Sequence, residues 1–352
     1  MRLAAVLALV ALVVCGPISA APRVPLHTIA QRLDRLGASG RFTGAVLVAK
    51  DGHPVLERAY GLADARSHRR NAIATAFGLA SLGKTFTGVA VAQLVQRGAV
   101  AFDEPVGRYV HGLPAPIAAV TIGQLLSHTS GLGDFFGDPG YARLQPKLTT
   151  LAAYLPLIAR ERLRFPPGSR FGYSNSGYLL LGLVIERASG LSYYDYLRRN
   201  IFGPARMHSA GCYWRARLPA IAATGYLVPG VPNSDSLPPR GTSAGGCYAS
   251  AKDMLAFADA LLGHRLLNTR LTSTITTQKV KAPGGGYGYG FGIRTGRPGD
   301  PPTIWHNGGA PGVGSELDIN PRLGYTVVIL ANDGPDAVTP VADLVLNGLR
   351  IP

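Results

Sequence analysis

The chain has 352 residues, of which 47% are hydrophobic and 16% are charged, and it carries a formal net charge of +15 at pH 7. This composition is typical of a folded protein and excludes a wholly disordered chain, while the length suits one large domain or two. The basic residues are scattered rather than gathered into an arm or a stripe. We therefore expect no nucleic-acid partner; an arginine-rich solvated surface, or attraction to anionic envelope polymers, accounts for the charge.

The N-terminus has the features of a secretory signal peptide. Met1-Arg2 supplies a charged start, residues 3–14 are apolar, and the small residues of 19–21 follow. We predict a signal peptide over 1–20 and a mature chain over 21–352, which places the protein in the periplasm or outside the cell. The apolar run is shorter than the roughly 20 residues that cross a membrane, so no integral membrane segment is expected in the mature chain.

Cys15 lies inside the predicted signal peptide and raises the alternative of a lipid-anchored protein. The bulky pair Val13-Val14 precedes it, where a lipidation site favours small residues. We therefore favour removal of Cys15 with the signal.

The first part of the mature chain predicts a helix, a hairpin and a second helix. Leu26 to Leu36 is amphipathic. Phe42 to Lys50 and Val55 to Tyr60 are strand-like, and Asp51-Gly52 between them is a hairpin turn signal. Thr85 to Val95 has the small and apolar residues of a buried helix.

The middle of the chain predicts helices and loops rather than strands. Between residues 105 and 239 the segments Leu151 to Arg162 and Ser176 to Ser189 have a helical pattern, and Gly190 would end the second. Two more helices are predicted from Ala251 to Leu262 and from Asn268 to Thr277.

Strands return near the C-terminus. They are predicted at Tyr287 to Ile293, Thr303 to His306, Val313 to Ile319 and Tyr325 to Ala331, followed by a helix from Ala337 to Leu349. Strands at both ends with helices between them predict an α+β fold, in which both chain ends build one antiparallel sheet. We assign residues 26–100 and 241–352 to the part with the sheet and residues 101–240 to a mostly helical inserted subdomain.

The mature chain contains two cysteines, Cys212 and Cys247. Export permits a disulfide between them, but their spacing does not specify one. Because the sequence has no CxxC, HExxH or Cys/His cluster, we expect no metal site and no cofactor.

Three short motifs could carry chemistry. Ser81 and Lys84 form the only S-x-x-K of the chain, and residues three apart on a helix share a face. A lysine among apolar neighbours loses pKa and could then take the proton of the serine. The alternative is a surface lysine one turn from a serine.

The second and third motifs are weaker when taken alone. Tyr173 and Asn175 lie on a loop before a predicted helix, where a phenol could transfer protons and an amide could hold substrate; the alternative is a helix N-cap. His306, Gly308 and Gly309 follow a strand, and the glycines would let a substrate backbone lie close; the alternative is a glycine-rich turn.

In this order the motifs resemble those of the serine β-lactamase and penicillin-recognising superfamily. Within it the chain is similar to the branch of class C β-lactamases, serine D-Ala-D-Ala carboxypeptidases and related esterases. Ser127 to Leu132 (SHTSGL) and Thr242 to Gly246 (TSAGG) support this branch, and the resemblance covers roughly residues 26 to 350.

The resemblance implies a role for each residue of the motifs. Ser81 would be the acylated nucleophile, Lys84 its base or electrostatic partner, and Tyr173 a second proton carrier. Asn175 would hold the substrate amide or orient Lys84. The backbone N–H groups of Ser81 and Gly309 would form an oxyanion hole.

Further positions follow from the same resemblance. His128 would be structural, and Phe135 and Phe136 would either line the acyl side of the cleft or belong to the core. His306 stands where β-lactamases carry the lysine that binds a substrate carboxylate, and we expect it to face the cleft and to be mostly neutral at pH 7. This departure favours an exported carboxypeptidase or esterase over a β-lactamase proper.

Two rival interpretations remain. Gly241 to Gly245 matches the G-x-S-x-G of α/β-hydrolases, with Asp300 and His306 downstream, but the proline-rich segment 228–240 predicts no strand before it. The other rival is a non-catalytic protein of the same fold that binds cell-wall peptides. Whether the protein is an enzyme or a non-catalytic member of the resembled superfamily, we expect its partner to be a small-molecule or peptidoglycan-derived substrate. We also expect a monomer.

Overall fold

The computed structural model of the protein describes residues 24–295 and 302–352. The predicted signal peptide, with its cleavage point after Ala20 and with Cys15, lies outside these residues, and so does Asp300. No helix within the described ranges is long and apolar enough to cross a membrane.

The described residues form eleven α-helices, joined by short 3-10 turns. They are α1 Leu26–Ala38, α2 Lys84–Gln96, α3 Ala115–Ala118, α4 Ile122–Leu126, α5 Tyr141–Leu144, α6 Leu155–Ile158, α7 Asn175–Ser189, α8 Tyr193–Leu197, α9 Ala251–Leu262, α10 Thr269–Thr276 and α11 Val338–Leu349.

The same residues contain fourteen strands, many of them short. They are β1 Gly44–Lys50, β2 His53–Tyr60, β3 Leu62–Asp64, β4 Arg69–Arg70, β5 Phe77–Gly78, β6 Tyr226–Val228, β7 Val231–Pro232, β8 Tyr248–Ala249, β9 Val280–Ala282, β10 Gly285–Tyr287, β11 Gly292–Arg294, β12 Thr303–Ala310, β13 Val313–Asn320 and β14 Tyr325–Ala331.

One large sheet joins the two ends of the chain. Its eight strands run in the order β2-β1-β14-β13-β12-β11-β10-β9, and every neighbouring pair is antiparallel. The pairing of β1 with β14 runs from Gly44 opposite Ala331 to Lys50 opposite Tyr325. The predicted α+β fold with an antiparallel sheet built from both chain ends is therefore confirmed.

Both faces of the sheet are buried. Successive residues of a strand point to opposite faces, so alternate residues of one strand belong to different cores. In β1, Ala45 and Leu47 belong to the larger core, which also contains residues of α2, α7 and α9. Val46 and Val48 belong to a second core, which residues of α1 and α11 complete on the other face. The central strands accordingly read as nearly continuous apolar runs.

The helices between α2 and β6 are short, except for α7. Ser174 caps α7 by accepting a hydrogen bond from the N–H of Gly177, and Gly190 ends it with a left-handed φ of 70°. Helix α7 packs on α2, and Asn175 at the start of α7 contacts Lys84 at the start of α2. The prediction of a helix over Ser176 to Ser189 is confirmed within one residue.

Two predicted elements are wrong. The helix expected over Leu151 to Arg162 is only a 3-10 turn at Ala152–Tyr154 followed by α6. The strand expected over Tyr287 to Ile293 is divided into β10 and β11 by a turn, in which the N–H of Gly288 donates to Phe291 O and Gly290 has a φ of 88°. Gly290 takes up the left-handed backbone conformation that this turn requires.

Cys212 and Cys247 form a disulfide. Beside it, the backbones of Gly211 and Tyr248 exchange two hydrogen bonds of 3.0 and 2.8 Å. The bond thus links the loop at 211–215 to the segment that leads into β8.

We expect the disulfide to contribute about 3–4 kcal/mol to the free energy of unfolding, because it closes a loop of 35 residues in the unfolded chain. Urea denaturation of the oxidised protein and of the double variant Cys212→Ala/Cys247→Ala measures this difference. A reductant should destabilise the wild type and leave the double variant unchanged. Equal stability of the oxidised wild type and the double variant would contradict the prediction.

Candidate active site

Ser81 lies in the 3-10 turn Ala80–Gly83, which continues directly into α2. The preceding residue, Ala80, has a φ of +43°, a conformation that is costly for a residue with a Cβ. The carbonyl of Ala80 accepts a hydrogen bond of 3.0 Å from the N–H of Gly246. A Cβ on Gly245 would lie 2.2 Å from the same carbonyl oxygen, so only glycine fits there. Neighbouring backbone therefore holds a strained turn that presents Ser81.

Lys84 is fully buried, and its amine has a partner in each of three directions. Nζ lies 2.7 Å from Asn175 Oδ1, 2.5 Å from the carbonyl oxygen of Ala244 and 3.2 Å from Ser81 Oγ. Burial lowers the pKa of Lys84 to about 7, although the charge of Asp134 opposes this shift. Two N–H bonds of a neutral amine can donate to the two carbonyl oxygens, which leaves the lone pair directed at Ser81.

Tyr173 provides the second contact to the hydroxyl of Ser81. Its hydroxyl donates to Ser81 Oγ at 2.7 Å. The residue as a whole is 39% exposed. Burial raises the pKa of Tyr173 well above its usual value, against the lowering effect of the bond to Ser81, so the phenol keeps its proton at neutral pH.

His128 supports the loop of Tyr173. Its backbone oxygen accepts from the N–H of Gly172 at 2.8 Å, and its Nδ1 accepts from the N–H of Ser174 at 3.1 Å. The imidazole lies 4.4 Å from the Tyr173 ring, centroid to centroid, and is completely buried. The two residues that flank Tyr173 are thus both bound to His128, which agrees with a structural role for this histidine.

Asn175 is oriented by Asp134. The Nδ2 group of Asn175 donates to Asp134 Oδ2 at 2.5 Å, which turns its Oδ1 toward Lys84. Asp134 also accepts from the N–H of Phe136 through its other carboxylate oxygen. A carboxylate only accepts hydrogen bonds, so this contact fixes which end of the amide faces the lysine.

Strand β12 borders the nucleophile. A Cβ on Gly308 would lie 2.8 Å from the backbone nitrogen of Ser81, so the two backbones are in close contact. Strand β11 pairs only with residues 303–305 of β12, and no other described strand continues along that edge at residues 306–310. Gly309 and Ser81 line one cavity, which agrees with the expected position of Gly309 beside the reacting group.

His306 does not have the predicted position. Its side chain is buried, with 4% exposed, and does not face the cleft. Nδ1 lies 2.6 Å from the backbone oxygen of Asn307 and therefore carries the proton, while Nε2 accepts from the hydroxyl of Tyr287 at 2.9 Å. Burial and the nearby charge of Lys84 lower the pKa of His306 to about 3.

The expectation that His306 meets a substrate carboxylate is therefore wrong. A strand period of two places residues 306 and 308 on one face, and the imidazole on that face is covered by Tyr287 instead of opening to the cleft. The neutral ring braces the sheet beneath the site.

Ser243 of the rival G-x-S-x-G motif is not a nucleophile candidate. It is fully buried, and its hydroxyl has no hydrogen-bond partner within the described ranges. Residues 241–245 follow no strand and form a turn, in which Thr242 and Gly245 exchange hydrogen bonds of 2.7 and 3.0 Å. The nucleophile elbow of an α/β-hydrolase is therefore excluded.

Sequence reasoning missed two functional positions. Asp134 orients Asn175, and the carbonyl of Ala244 accepts from Lys84, but neither role has a local signal. Asp134 could have been noticed as an acidic residue in a glycine-rich and aromatic loop. The contribution of Ala244 is a backbone carbonyl, to which the side-chain type gives no clue.

Comparisons with known proteins agree with this geometry. The sequence profile of the Beta-lactamase family matches residues 29–349. A crystal structure of a penicillin-binding protein from Bacillus halodurans has a TM-score of 0.81 and 35% identity, with 91% of this chain and 98% of that chain covered. The D-amino acid amidase from Ochrobactrum anthropi SV3 has a TM-score of 0.80 and 25% identity, with 93% and 99% covered.

Curated relatives are matched over part of their length. The chain is 32% identical to a D-aminopeptidase from Cereibacter sphaeroides over 66% of this chain, but this covers only 45% of that protein. It is 35% identical to a penicillin-binding protein from Bacillus subtilis over 53% of this chain, which spans 41% of that protein.

We expect the acylation rate to rise with pH through about 7, because only the free amine of Lys84 can accept the Ser81 proton. The kcat/KM of an uncharged ester, measured between about pH 5 and pH 9, tests this rise. Because the pKa of His306 is about 3 and that of Tyr173 lies far above neutrality, neither should add a second inflection in this range. A flat profile would contradict the role of Lys84.

Replacing Asp134 by Asn should move the same rise of kcat/KM to lower pH, by a fraction of a pH unit. The amide of the variant can still accept from Asn175, but the charge that raises the pKa of Lys84 is gone. Asp138→Asn is the matched control, since that carboxylate binds the N–H of Gly140 and lies 3.8 Å from Arg160. If kcat/KM rose at the same pH in Asp134→Asn as in the wild type, or shifted equally in both variants, Asp134 would not act on Lys84.

Proposed function

The chain belongs to the beta-lactamase family, and on that premise we propose that it is an exported serine hydrolase which cleaves an ester, an amide or a D-amino-acid peptide through an acyl-enzyme on Ser81. Its family and the D-aminopeptidase and D-amino acid amidase among its relatives support serine hydrolase chemistry. The substrate, the carboxypeptidase or esterase type and the export are our proposals.

One observation carries the proposal: the hydroxyl of Ser81 lies between two groups that can move protons. Lys84 Nζ is 3.2 Å from Ser81 Oγ, and Tyr173 Oη is 2.7 Å from the same atom. A nucleophile with a base and an acid on two sides can lose a proton while a second proton is delivered to the leaving group.

The steps follow from these positions. Ser81 Oγ attacks the substrate carbonyl, and its proton passes to the free amine of Lys84. The N–H groups of Ser81 and Gly309 stabilise the oxyanion. Tyr173 donates its proton to the departing alcohol or amine, and the proton on Lys84 then restores the phenol.

Deacylation uses the same groups. A water molecule attacks the acyl carbonyl as the free amine of Lys84 accepts its proton, and Tyr173 donates its proton to the departing Ser81 Oγ; the proton on Lys84 then restores the phenol. Asn175, held by Asp134, keeps the amine of Lys84 in place during both halves of the cycle.

The neutral His306 favours esters and amides without a carboxylate on the leaving side over substrates that carry one, as β-lactams and peptides with a free C-terminus do. A β-lactam carries a carboxylate on the leaving side, and the buried imidazole offers no positive charge there. An ester or amide without that carboxylate loses nothing by this arrangement.

Two features support export. The N-terminal sequence has the pattern of a signal peptide, and the Cys212–Cys247 disulfide suits an oxidising compartment. Fractionation of cells that produce the full chain tests this point, and a cytoplasmic protein with its N-terminus intact would contradict it.

The chemistry is tested by labelling and by two variants. A fluorophosphonate should attach to Ser81, and Ser81→Ala should abolish both labelling and ester hydrolysis. Tyr173→Phe should lower kcat by roughly 10²–10⁴-fold, because it loses only the proton-carrying hydroxyl. A thermal melt confirms that the variants are folded.

Three outcomes would count against the proposal. Label on Ser243, or wild-type turnover in Ser81→Ala, would overturn the assigned nucleophile. Binding of D-Ala-D-Ala peptides without turnover of any ester or amide would favour the non-catalytic peptide-binding alternative. Preferential hydrolysis of a chromogenic cephalosporin would favour a β-lactamase proper.

A further inference from the structure

A cavity opens beside Ser81. Ser81, Asn175 and Gly309 are among the residues that line it, while Tyr173 is not. Because Tyr173 protonates the leaving group in the proposed mechanism, the leaving group lies on its side of the carbonyl. The cavity, which Tyr173 does not line, therefore receives the acyl group.

The walls of this acyl pocket are mainly apolar and aromatic. Phe135 and Phe136 form one wall, and Tyr213, Tyr248 and Val313 contribute to the others. Phe136 is 48% exposed, so the aromatic surface is accessible. This lining suits an acyl group with a substantial apolar part.

Two arginines also line the pocket, Arg215 and Arg240. Arg240 is held in place: its Nε donates to Cys212 O at 2.7 Å, and its guanidinium carbon lies 3.4 Å from the centre of the Tyr194 ring. Neither arginine forms an ion pair with a carboxylate of the described residues. The pocket thus carries positive charge that nothing described neutralises by direct contact.

Arg215 has a nitrogen with no partner. Its Nη1 is shielded from solvent and makes no hydrogen bond within the described part of the chain. The same is true of the hydroxyls of Tyr141 and Tyr154. Buried donors without a partner are costly and rare in native structures, so each one needs an explanation.

Tyr141 and Tyr154 do not line the pocket themselves but pack against its phenylalanine wall. The ring of Tyr141 lies 5.7 Å from Phe135 and 5.0 Å from Phe136, and the ring of Tyr154 lies 5.0 Å from Phe135. The charge of Arg215 acts on the pKa of both tyrosines, against the stronger effect of their burial. A guanidinium can only donate and a phenol can donate as well as accept, so a carboxylate is an acceptor that complements Arg215.

Carboxylates of the protein are near but engaged elsewhere or exposed. Asp134 binds Asn175 and the N–H of Phe136. Asp235 is an exposed loop residue whose charge raises the pKa of Arg215 without an ion pair between them. Asp195, which acts on Arg240, is bound to Arg198 at 2.6 Å. A ligand carboxylate would therefore meet little competition at Arg215.

We propose that the acyl pocket selects acyl groups that end in a carboxylate, with Arg215 as the specificity-determining residue, and that it rejects acyl groups that carry a free ammonium. The inference rests on the proposed acyl-enzyme function and adds the class of acyl group to it. An α-ammonium or other amine in this pocket would face two guanidinium charges.

Three matched p-nitrophenyl esters test the charge preference, because they share the leaving group and the chain length. One is the half-ester of adipic acid with a free carboxylate, one is its methyl-capped counterpart, and one is the 6-aminohexanoate. We expect kcat/KM to be about tenfold or more higher for the carboxylate than for the capped ester, the scale of one charge-assisted hydrogen bond. The aminohexanoate should be the poorest substrate, and the preference should fall as salt is added.

Variants then assign the preference to one side chain. Arg215→Met keeps the length and loses the charge, so it should remove most of the preference, mainly through KM, and leave the capped ester within about twofold. Arg215→Lys should keep much of it. Arg217→Met is the matched control, because Arg217 lies in the same turn but is exposed and does not line the pocket.

The outcomes separate this inference from the proposed function. Turnover of the capped ester without a charge preference, a preference for the aminohexanoate, or an equal loss in Arg215→Met and Arg217→Met would overturn the inference alone. If Arg215→Met lowered the melting temperature and the turnover of all three esters alike, its role would be structural and the inference would also fail. No turnover of any ester, with no label on Ser81, would overturn both.

Discussion

The arrangement of the site depends on one buried amine. Lys84 is taken out of water completely, and carbonyl oxygens from two distant parts of the chain, Asn175 and Ala244, replace its hydration. A buried lysine is tolerated only where such acceptors are provided, and its reduced pKa is the consequence of the burial. The sheet part, the helical part and the loop before β8 therefore have to assemble before Lys84 has all its partners beside Ser81.

The same assembly explains why so little of the site is free to move. Ser81 is presented by a turn with an unfavourable φ at Ala80, against which Gly245 packs too closely for any side chain. His128 binds the residues on both sides of Tyr173, and Asp134 binds Asn175. Each reacting group is supported by a neighbour that takes no part in the chemistry, which is how a protein keeps reacting atoms within a few tenths of an ångström.

Much of this could be predicted from the sequence, and the limits have physical causes. The pair Ser81 and Lys84 lies within one turn of helix, so local geometry brings the two residues together. The antiparallel sheet from both chain ends follows from the distribution of apolar runs.

The missed features depend on contacts between distant segments. Tyr287 contacts and covers His306. The sequence predicted a single strand over the segment of Tyr287, whereas the structure has two strands, β10 and β11, with a turn between them. The pairing of Asp134 with Asn175 spans 41 residues, and the Cys212–Cys247 bridge could be permitted but not specified by spacing.

The pairing of β1 with β14 has a consequence for how the molecule comes into being. Strand β1 lies between β2 and β14 in the sheet. The residues that β1 pairs with in β14 lie up to 287 positions away in the sequence, as Ala331 does from Gly44. Contacts of such sequence separation make folding slow, because the intervening chain must be ordered before they are gained. During synthesis at the ribosome the first hairpin waits, with its apolar edge uncovered, until the last strand has emerged. The turn of Ser81, which follows this hairpin, is thus among the first parts to be made and among the last to be held in its final position.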